Sequence, residues 1–207
     1  MIKKLIFDLD NTLIMWKDKY LNAIKETVEL YKLNIDYKYL SSLVDEYDDK
    51  FRYYDKKLMV DFINKKIDNK IDINFLNTFL DKFGYMSEVD NKVIDVLDYL
   101  NKNYELVVLT NWFTEPQKER LKNAHILKYF KYVIGGENSM KPYKESFISA
   151  CGDFKPNECM MIGDDYDKDI VGAYNTNLNV IYFNYKNKEN KNNFKEIKDI
   201  SELKEIL

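Results

Sequence analysis

Histidine and cysteine are nearly missing from this sequence of 207 residues, which contains one His and two Cys. Cys151 and Cys159 are too few for a disulfide scaffold and lack a CxxC spacing. We therefore expect both to be buried, reduced thiols of a cytoplasmic protein. The single histidine, His125, lies in a link between a predicted helix and a predicted strand, and we assign it a structural role.

Proline and glycine are also scarce, at three and six residues, so the sequence offers few loop signals. No apolar run approaches the ~18 residues that cross a bilayer, which excludes an integral membrane protein. The apolar run within residues 1–7 is too short for a secretory signal, and we expect none. The 32 Lys and Arg nearly balance the 35 Asp and Glu, so charge gives no reason to expect nucleic acid as the main partner.

The residues that are present suffice for a packed core, since 45% are hydrophobic and 15% aromatic. Five short apolar runs, each flanked by polar or turn residues, are typical of strands buried on both faces of a parallel sheet. These runs cover residues 3–7, 105–109, 129–134, 159–162 and 178–183. Helical patterns lie between them, at 89–102, 115–123, 144–151 and 167–174. The alternation predicts an α/β fold with right-handed crossovers.

The interval between the first two predicted strands far exceeds the ~30 residues of one crossover. Residues 16–86 show one helical pattern after another, with no proline and one glycine. We therefore predict an all-helical domain at 15–87, inserted into an α/β core formed by 1–14 and 88–207. Residues 186–195 are predicted to form an exposed loop, and a short helix capped by Ser201 is predicted at 201–207.

Polar side chains follow four of the predicted strands. One Asp pair alone is most often a solvated turn, but the ends of parallel strands meet at one edge, where open α/β sheets bind ligands. Convergence from four strands therefore predicts a functional site. The residues are Asp8 and Asp10 after the first strand, Thr110 and Asn111 after the second, Lys141 after the third, and Asp164, Asp165, Asp167 and Asp169 after the fourth.

These residue types indicate phosphoryl chemistry. Crowded carboxylates raise each other's pKa unless a cation shares them, and oxygen ligands without His or Cys select a hard ion, for which we expect Mg²⁺. Mg²⁺ and Lys141 would together make a positive hollow suited to a phosphoryl group. A carboxylate can attack phosphorus. A second carboxyl group two residues along an extended chain lies on the same side and can act as acid and then base.

The sequence resembles the haloacid dehalogenase-like (HAD) hydrolase superfamily in four ordered motifs. They are F-D-L-D-N-T-L at 7–13, L-T-N at 109–111, K-P-Y-K-E-S-F at 141–147 and I-G-D-D-Y-D-K-D-I-V-G-A at 162–173. The resemblance covers about residues 1–14 and 88–185. It implies a Rossmann-like core, and the inserted helices look like a C1-type cap by position and size. The implied activity is that of a C1-capped phosphatase.

The resemblance also assigns roles to the acids that would hold the metal. Asp8 would be the nucleophile and a metal ligand. Asp10 would be the general acid and base and would offer its backbone carbonyl to Mg²⁺. Asp164 would be the third protein ligand of the ion.

The remaining motif residues would handle phosphate and support the site. Thr110 and the Asn111 N–H would hold phosphate oxygens, and Lys141 would neutralise both the nucleophile and the phosphate. Asp169 would lie behind the metal ligands, near Lys141 or a metal-bound water. Asp165 stands where small residues are usual, so it either contacts the metal water or points to solvent.

Two groups of side chains near the motifs have open roles. In the first group, Trp16 and Lys17 lie where the chain enters the inserted helices, and Trp112 and Phe113 directly follow the L-T-N motif. These four residues either contact substrate or pack at a hinge. The other either grips a second anionic group through Arg or lies on an ordinary exposed helix face; it comprises Arg52, Tyr53 and Tyr54.

Asp10 favours phosphate ester cleavage, because the dehalogenases and phosphonoacetaldehyde hydrolases that resemble this sequence lack a carboxylate there. We therefore predict a Mg²⁺-dependent phosphatase of a small phosphorylated metabolite, with no nucleic-acid or membrane partner. A phosphomutase of the same fold is the alternative. A signalling receiver is disfavoured, since its Lys-Pro follows the last acidic position whereas Lys141 precedes Asp164. Sugar phosphates, nucleoside monophosphates and phosphoglycolate-like acids stay open as substrates, and the sequence does not indicate the oligomeric state.

Overall fold

The structure is a computed structural model that describes residues 1–15 and 19–207. The predicted roles of Trp16 and Lys17 lie outside the described residues. Six parallel strands form one sheet in the order β3-β2-β1-β4-β5-β6. They are β1 (Lys4–Phe7), β2 (Glu105–Leu109), β3 (Tyr132–Ile134), β4 (Cys159–Gly163), β5 (Asn179–Phe183) and β6 (Glu196–Ile197). The predicted α/β, Rossmann-like sheet is confirmed.

Among residues 1–15 and 19–207, four helices lie between β1 and the rest of the α/β core, and five more alternate with or follow the later strands. They are α1 (Lys19–Leu30), α2 (Tyr37–Lys50), α3 (Lys56–Asn64), α4 (Ile73–Phe83), α5 (Asn91–Leu100), α6 (Thr114–Asn123), α7 (Lys144–Cys151), α8 (Gly172–Tyr174) and α9 (Leu203–Ile206). Within the described residues, no helix is long and apolar enough to cross a membrane.

Several predicted bounds differ from the structure. The run at 129–134 begins on the last residue of a 3₁₀ turn, Leu127–Tyr129, and β3 itself begins only at Tyr132. The helix predicted at 167–174 is a π-helix, Tyr166–Val171, that continues into α8. Strand β6 was missed, because two residues are too few to show alternation, although most of the predicted loop at 186–195 is irregular as expected. Ser201 does not cap the last helical segment; its N–H instead donates 2.9 Å to the Asp199 carboxylate.

The sheet is buried on both faces because alternate side chains of each strand enter different apolar clusters. Leu5 and Phe7 of β1 pack with α5 on one face, while Ile6 packs on the other face with α7 residues such as Phe147. Both cysteines are buried and unbridged, as expected. Chain order reverses beside β1, since β2 and β3 lie on one side and β4 on the other, so the β1–β4 border is the point where such sheets bind ligands.

Helices α1 to α4 enclose an apolar cluster of their own, rich in aromatic rings such as Phe79 and Phe83. Three residues from the loops after β2 and β3 join this cluster: Trp112, Phe113 and Met140. Trp112 stacks on Phe83 with ring centroids 5.3 Å apart. The helical cluster therefore rests directly on the loops that follow the strand ends.

An aspartate directly precedes each of four helices in this glycine-poor and proline-poor chain. The residues before α2, α3, α4 and α5 each accept a hydrogen bond from a backbone N–H of the first helical turn; they are Asp36, Asp55, Asp72 and Asp90. Such caps satisfy N–H groups that have no partner inside the helix. The starts of these four helices are thus encoded by side-chain chemistry rather than by a breaker residue.

We expect Asp72→Ala to lower the free energy of unfolding by about 1 kcal/mol, the usual cost of losing a cap. The lost interaction is the 2.9 Å hydrogen bond from the Phe75 N–H. Urea unfolding of the variant measures the change. Asp81→Ala is the matched control, because Asp81 is exposed within the same helix. An equal loss in both variants would contradict the capping role.

Candidate active site

A cavity of about 220 Å³ lies at the carboxyl edge of the sheet, between the strand ends and the helices α1 and α2. All but one of the residues predicted to converge line it: Asp8, Asp10, Thr110, Asn111, Lys141, Asp164, Asp165 and Asp169. Asp167 is exposed and does not line the cavity. The convergence expected from the sequence is therefore present in the fold. His125 is exposed, in a turn after α6, and does not line this cavity.

Asp8 continues the line of β1 into the cavity. Its N–H donates 2.9 Å to the carbonyl of Ile162, which extends the pairing of β1 with β4 by one residue. Phe7 is already paired with Val108 of β2 and Ile162 of β4. Asp8 is consequently fixed between two strands and only 7% exposed.

Lys141 is the buried cation of the site. Its Nζ donates 2.6 Å to Asp8 Oδ1 and 2.6 Å to Asp169 Oδ1, while the residue is only 3% exposed. The Asn111 side chain holds the lysine backbone, since its Oδ1 accepts from the Lys141 N–H at 2.7 Å and its Nδ2 donates to the Lys141 carbonyl at 2.8 Å. Sequence reasoning assigned Asn111 only a backbone contact with phosphate; this side-chain tie was missed.

Asp165 has a structural use that the sequence left open. Its Oδ1 accepts from the Lys168 N–H at 2.8 Å and from the Asp167 N–H at 3.1 Å, so the side chain caps the π-helix. Its own N–H donates 3.1 Å to Asp169 Oδ2. Asp165 thereby fixes the turn that carries both Asp164 and Asp169.

Gly163 is needed for this turn to lie close to β4. A Cβ placed on it would lie 2.7 Å from the Cβ of Asp169, well inside contact distance. Only glycine lets the buried Asp169 approach the strand end. In this position, Asp169 Oδ1 accepts a hydrogen bond from Lys141 and Asp169 Oδ2 accepts one from the Asp165 N–H.

Burial dominates the acid–base properties of these carboxylates. It raises the pKa of Asp8 to about 7, although Lys141 opposes the shift and Asp169 adds to it. Burial and the nearby Asp8 likewise raise the pKa of Asp164 to about 7. Burial lowers the pKa of Lys141, but the attraction of Asp169 and Asp8 outweighs it and leaves that pKa above its ordinary value. Without a further cation, the site holds more negative charge than Lys141 balances.

Three carboxylates lie close enough to share a metal ion. Oxygens of Asp8, Asp164 and Asp169 all lie within 4.8 Å of one another. Because both Asp169 oxygens already accept hydrogen bonds, Asp8 and Asp164 are the acids with ligand capacity to spare. A set of ligands that are all oxygens and carry excess negative charge is the kind that hard divalent cations prefer. The Asp10 side chain is outside this group; its predicted contribution is a backbone carbonyl.

Asp10 is held by two residues of α6 that sequence reasoning missed. Its Oδ1 lies 2.7 Å from Arg120 Nη2, and its Oδ2 accepts from Gln117 Nε2 at 3.1 Å. Gln117 also donates 2.9 Å to Thr110 Oγ1 and accepts 2.7 Å from Arg120 Nη1. Arg120 and Gln117 are fully buried. The carboxylate of Asp10 and the hydroxyl of Thr110 are therefore oriented by one network.

A signal for Arg120 did exist in the composition. The 32 basic residues include two arginines, Arg52 and Arg120. In a lysine-rich chain, each arginine is a candidate for a place that needs a planar, multidentate cation. Arg120 fits this, since its Nε donates 2.8 Å to the Met86 carbonyl while other nitrogens face Gln117 and Asp10.

The residues whose roles the sequence left open differ in whether they line the cavity. Trp112 lines the cavity and also packs in the helical cluster, whereas Phe113 does only the latter. Tyr54 is buried and lines the cavity. Arg52 does not line it; its guanidinium lies 4.5 Å from the ring centroid of Tyr143, on the surface.

The fold and the cavity together place several aspartates and a buried lysine at the switch point of a parallel sheet, an arrangement typical of α/β enzymes. A comparison with models of protein families shows which family the chain belongs to. The model described as haloacid dehalogenase-like hydrolase matches residues 2–175. The chain belongs to this family.

Individual relatives agree with the family. A glyceraldehyde 3-phosphate phosphatase of Pyrococcus furiosus is 28% identical over 204 residues, covering 89% of this chain and 81% of its own. The magnesium-bound HAD hydrolase YfnB of Bacillus subtilis has a TM-score of 0.75 at 20% identity, covering 100% of this chain and 98% of its own. A 2-haloacid dehalogenase of Pseudomonas syringae pv. Tomato has a TM-score of 0.76 at 20% identity, with the same coverages. The two structures show the shared fold.

The raised pKa values predict that the metal-free protein loses stability as pH rises. A carboxyl group with a pKa of about 7 when folded, against 3.8 ordinarily, keeps its proton in the folded state over that interval. Its stabilising effect is complete below pH ~4 and lost above pH ~7, where the folded state must bury the charge.

Asp164→Asn should therefore raise the free energy of unfolding at pH 8 in the presence of a chelator, by at least about 1 kcal/mol, and change it little at pH 4. Urea unfolding at both pH values measures this difference. Asp167→Asn, an exposed neighbour, is the control and should show no comparable pH dependence. Equal effects of Asp164→Asn at both pH values would contradict the burial of this charge.

Proposed function

We propose that the protein is a Mg²⁺-dependent phosphatase that hydrolyses a small phosphorylated metabolite through an aspartyl phosphate on Asp8. One observation carries the proposal: a single cavity holds Asp8, paired with the buried Lys141, beside Asp10, paired with the buried Arg120. That is a nucleophile position and a proton-donor position in one place. The name of the Pyrococcus relative, a phosphatase, supports this assignment.

We further propose that residues 15–87 act as a C1-type cap on a core formed by 1–14 and 88–207. Two features support this division: α1 to α4 have their own apolar cluster, and α1 and α2 form one wall of the cavity. Closure of such a cap would exclude bulk water during phosphoryl transfer.

Asp8, the backbone carbonyl of Asp10, and Asp164 would hold Mg²⁺. The donors are all oxygens, and the unbalanced negative charge at Asp8 and Asp164 supports the choice of a cation at this place. When bound, Mg²⁺ would supply positive charge that stabilises the phosphoryl oxygens. The protein itself would stabilise these oxygens through the positive charge of Lys141. Thr110 and the Asn111 N–H would bind the phosphate oxygens.

In the first step, a carboxylate oxygen of Asp8 attacks phosphorus and the bond from phosphorus to the alcohol oxygen breaks. Asp10 gives its proton to the departing oxygen, so that an alcohol rather than an alkoxide leaves. Arg120 and Gln117 keep the Asp10 carboxyl group in position for this transfer.

In the second step, Asp10 has become a carboxylate and takes a proton from water. That water attacks phosphorus, the bond to Asp8 breaks, and inorganic phosphate forms with Asp8 regenerated. Lys141 stays beside Asp8 throughout and offsets the charge of the carboxylate that is released.

Asp10 also distinguishes this chemistry from dehalogenation on the same scaffold. The fold matches a HAD phosphatase of Thermococcus onnurineus and a 2-haloacid dehalogenase about equally well, so topology does not decide. A halide leaves without a proton, whereas an alkoxide needs one. A carboxyl group that is oriented by two buried partners therefore supports ester hydrolysis.

We expect the purified protein to release inorganic phosphate from p-nitrophenyl phosphate and from small phosphorylated metabolites with Mg²⁺ and not with chelator. Asp8→Asn should abolish this release while circular dichroism shows an intact fold, because the amide cannot act as the nucleophile. The control is Asp167→Asn, which changes an exposed acid outside the cavity and should retain activity.

Activity that persists in Asp8→Asn would contradict the nucleophile assignment. Isomerisation of a sugar phosphate in the presence of a bisphosphate, without phosphate release, would instead favour the phosphomutase alternative.

Arg120 should matter most for substrates with poor leaving groups. We expect Arg120→Met to lower kcat about tenfold more for glycerol phosphate than for p-nitrophenyl phosphate, because nitrophenolate leaves without Asp10's proton. Steady-state kinetics on both esters measures the ratio. Lys122→Met, an exposed cation on the same helix, is the control.

Gln117→Met gives a second test of the network if the arginine variant does not fold. It removes the 3.1 Å bond to Asp10, the 2.9 Å bond to Thr110 and the 2.7 Å bond from Arg120, and it keeps the direct contact of Arg120 with Asp10. Equal losses on the two esters would show that Arg120 and Gln117 act through stability rather than through Asp10.

A further inference from the structure

The cavity has a second wall, made by the helical insert rather than by the strand ends. Side chains of α1, α2 and the loop before α3 line it: Tyr20, Val44, Asp45, Asp48 and Tyr54. The strand-end residues occupy the other side with the groups proposed to handle phosphate. The second wall therefore faces the part of a substrate that becomes the leaving alcohol.

This second wall is acidic. Asp45 and Asp48 lie one turn apart on α2, and both line the cavity. Asp48 Oδ1 accepts a hydrogen bond from the buried Tyr54 hydroxyl, which fixes the carboxylate in place. Burial raises the pKa of Asp48 to about 6, with Tyr54 and Lys168 opposing the shift, so Asp48 is mostly ionised at pH 7.5.

Of the residues that the structure describes, one cation acts on both of these acids. Lys168 of the π-helix lines the same cavity and favours the charged forms of both Asp45 and Asp48. One ammonium against two carboxylates leaves the wall net negative. A substrate with a second anionic group would bring that charge close to this wall, at a cost that partial desolvation increases.

A second, independent feature points to a polar ligand beside this wall. Trp112 lines the cavity and is 5% exposed, and its Nε1–H has no acceptor among the residues that the structure describes. A buried N–H without a partner is costly, so an acceptor from a ligand would satisfy it. The wall thus offers carboxylates that accept, and the neighbouring Trp112 has a buried indole N–H that lacks an acceptor among the described residues.

We propose that Asp45 and Asp48 select phosphate esters whose alcohol part carries hydroxyl or carbonyl groups but no second negative charge. This inference rests on the phosphatase function proposed above and narrows its substrates. Hydroxyl groups donate to the two carboxylates, and a hydroxyl or carbonyl oxygen accepts from Trp112. Bisphosphates and phosphorylated carboxylic acids are rejected by charge rather than by size.

The size of the cavity also limits the alcohol part. A volume of about 220 Å³ lies below the roughly 300–1,000 Å³ of pockets that enclose drug-sized ligands. Once the phosphoryl group is placed, the remaining space suits a short chain of a few carbon atoms. A nucleoside would extend beyond the two walls.

Glyceraldehyde 3-phosphate and 3-phosphoglycerate form a matched pair for the test, because they share a three-carbon skeleton and differ by an aldehyde against a carboxylate. We expect kcat/KM to favour the aldehyde by about tenfold or more in the unchanged protein. In the double variant Asp45→Asn/Asp48→Asn, that ratio should fall by about tenfold, mainly through better use of the acid. The single variants give the same comparison if the double variant does not fold.

Asp49→Asn is the matched control, since Asp49 is an exposed acid on the same helix that does not line the cavity, and it should leave the ratio unchanged. The proposal is overturned if the unchanged protein uses both substrates equally, or if Asp49→Asn shifts the ratio as much as the double variant does. Hydrolysis of p-nitrophenyl phosphate is measured in parallel. If no ester releases phosphate, the phosphatase function itself has failed; if esters are cleaved without charge selection, only this inference has failed.

Discussion

Two aspartates and one lysine meet at the β1–β4 border almost without access to water. The Lys141 ammonium lies 2.6 Å from Asp8 and 2.6 Å from Asp169, and this contact decides how the surrounding loops must run. Removing one member of a buried ion pair typically costs about 3–5 kcal/mol, because the partner is left uncompensated. The tie of Asn111 to the lysine backbone and the close approach of Asp169 over Gly163 both follow from the need to bring these charges together.

A division of labour follows from the topology. The strand ends supply the groups proposed to act on phosphorus, and the helical insert supplies the wall proposed to face the alcohol part. The two parts are joined by aromatic packing, since Trp112 lies between the L-T-N motif and Phe83 of α4. A chain of this family can therefore change what it binds through α1 and α2 while the strand-end residues stay the same.

The sequence predicted the sheet and the converging strand ends because buried parallel strands are apolar runs and the polar residues directly follow them. It did not reveal Arg120 or Gln117, because their contacts with Asp10 cross from α6 to β1, and a helix pattern alone does not identify a distant partner. Asp165 was ambiguous for a similar reason: an acid after a strand can ligate or cap, and only the positions of the Lys168 and Asp167 N–H groups separate the two. Strand β6 was not predicted, because a strand of two residues is too short to show a hydrophobic pattern in the sequence.

The side chain of Asn111 binds both the N–H and the carbonyl of Lys141, in the manner of a short piece of β-ladder between two loops. The loop after β2 and the loop after β3 are thereby one mechanical unit, although thirty positions separate them along the chain. A displacement of Trp112, which lies in the first loop and stacks on Phe83 of α4, would therefore reach the backbone of Lys141 through two hydrogen bonds. The packing of the helical insert and the position of the residue that carries the lysine charge are for this reason coupled.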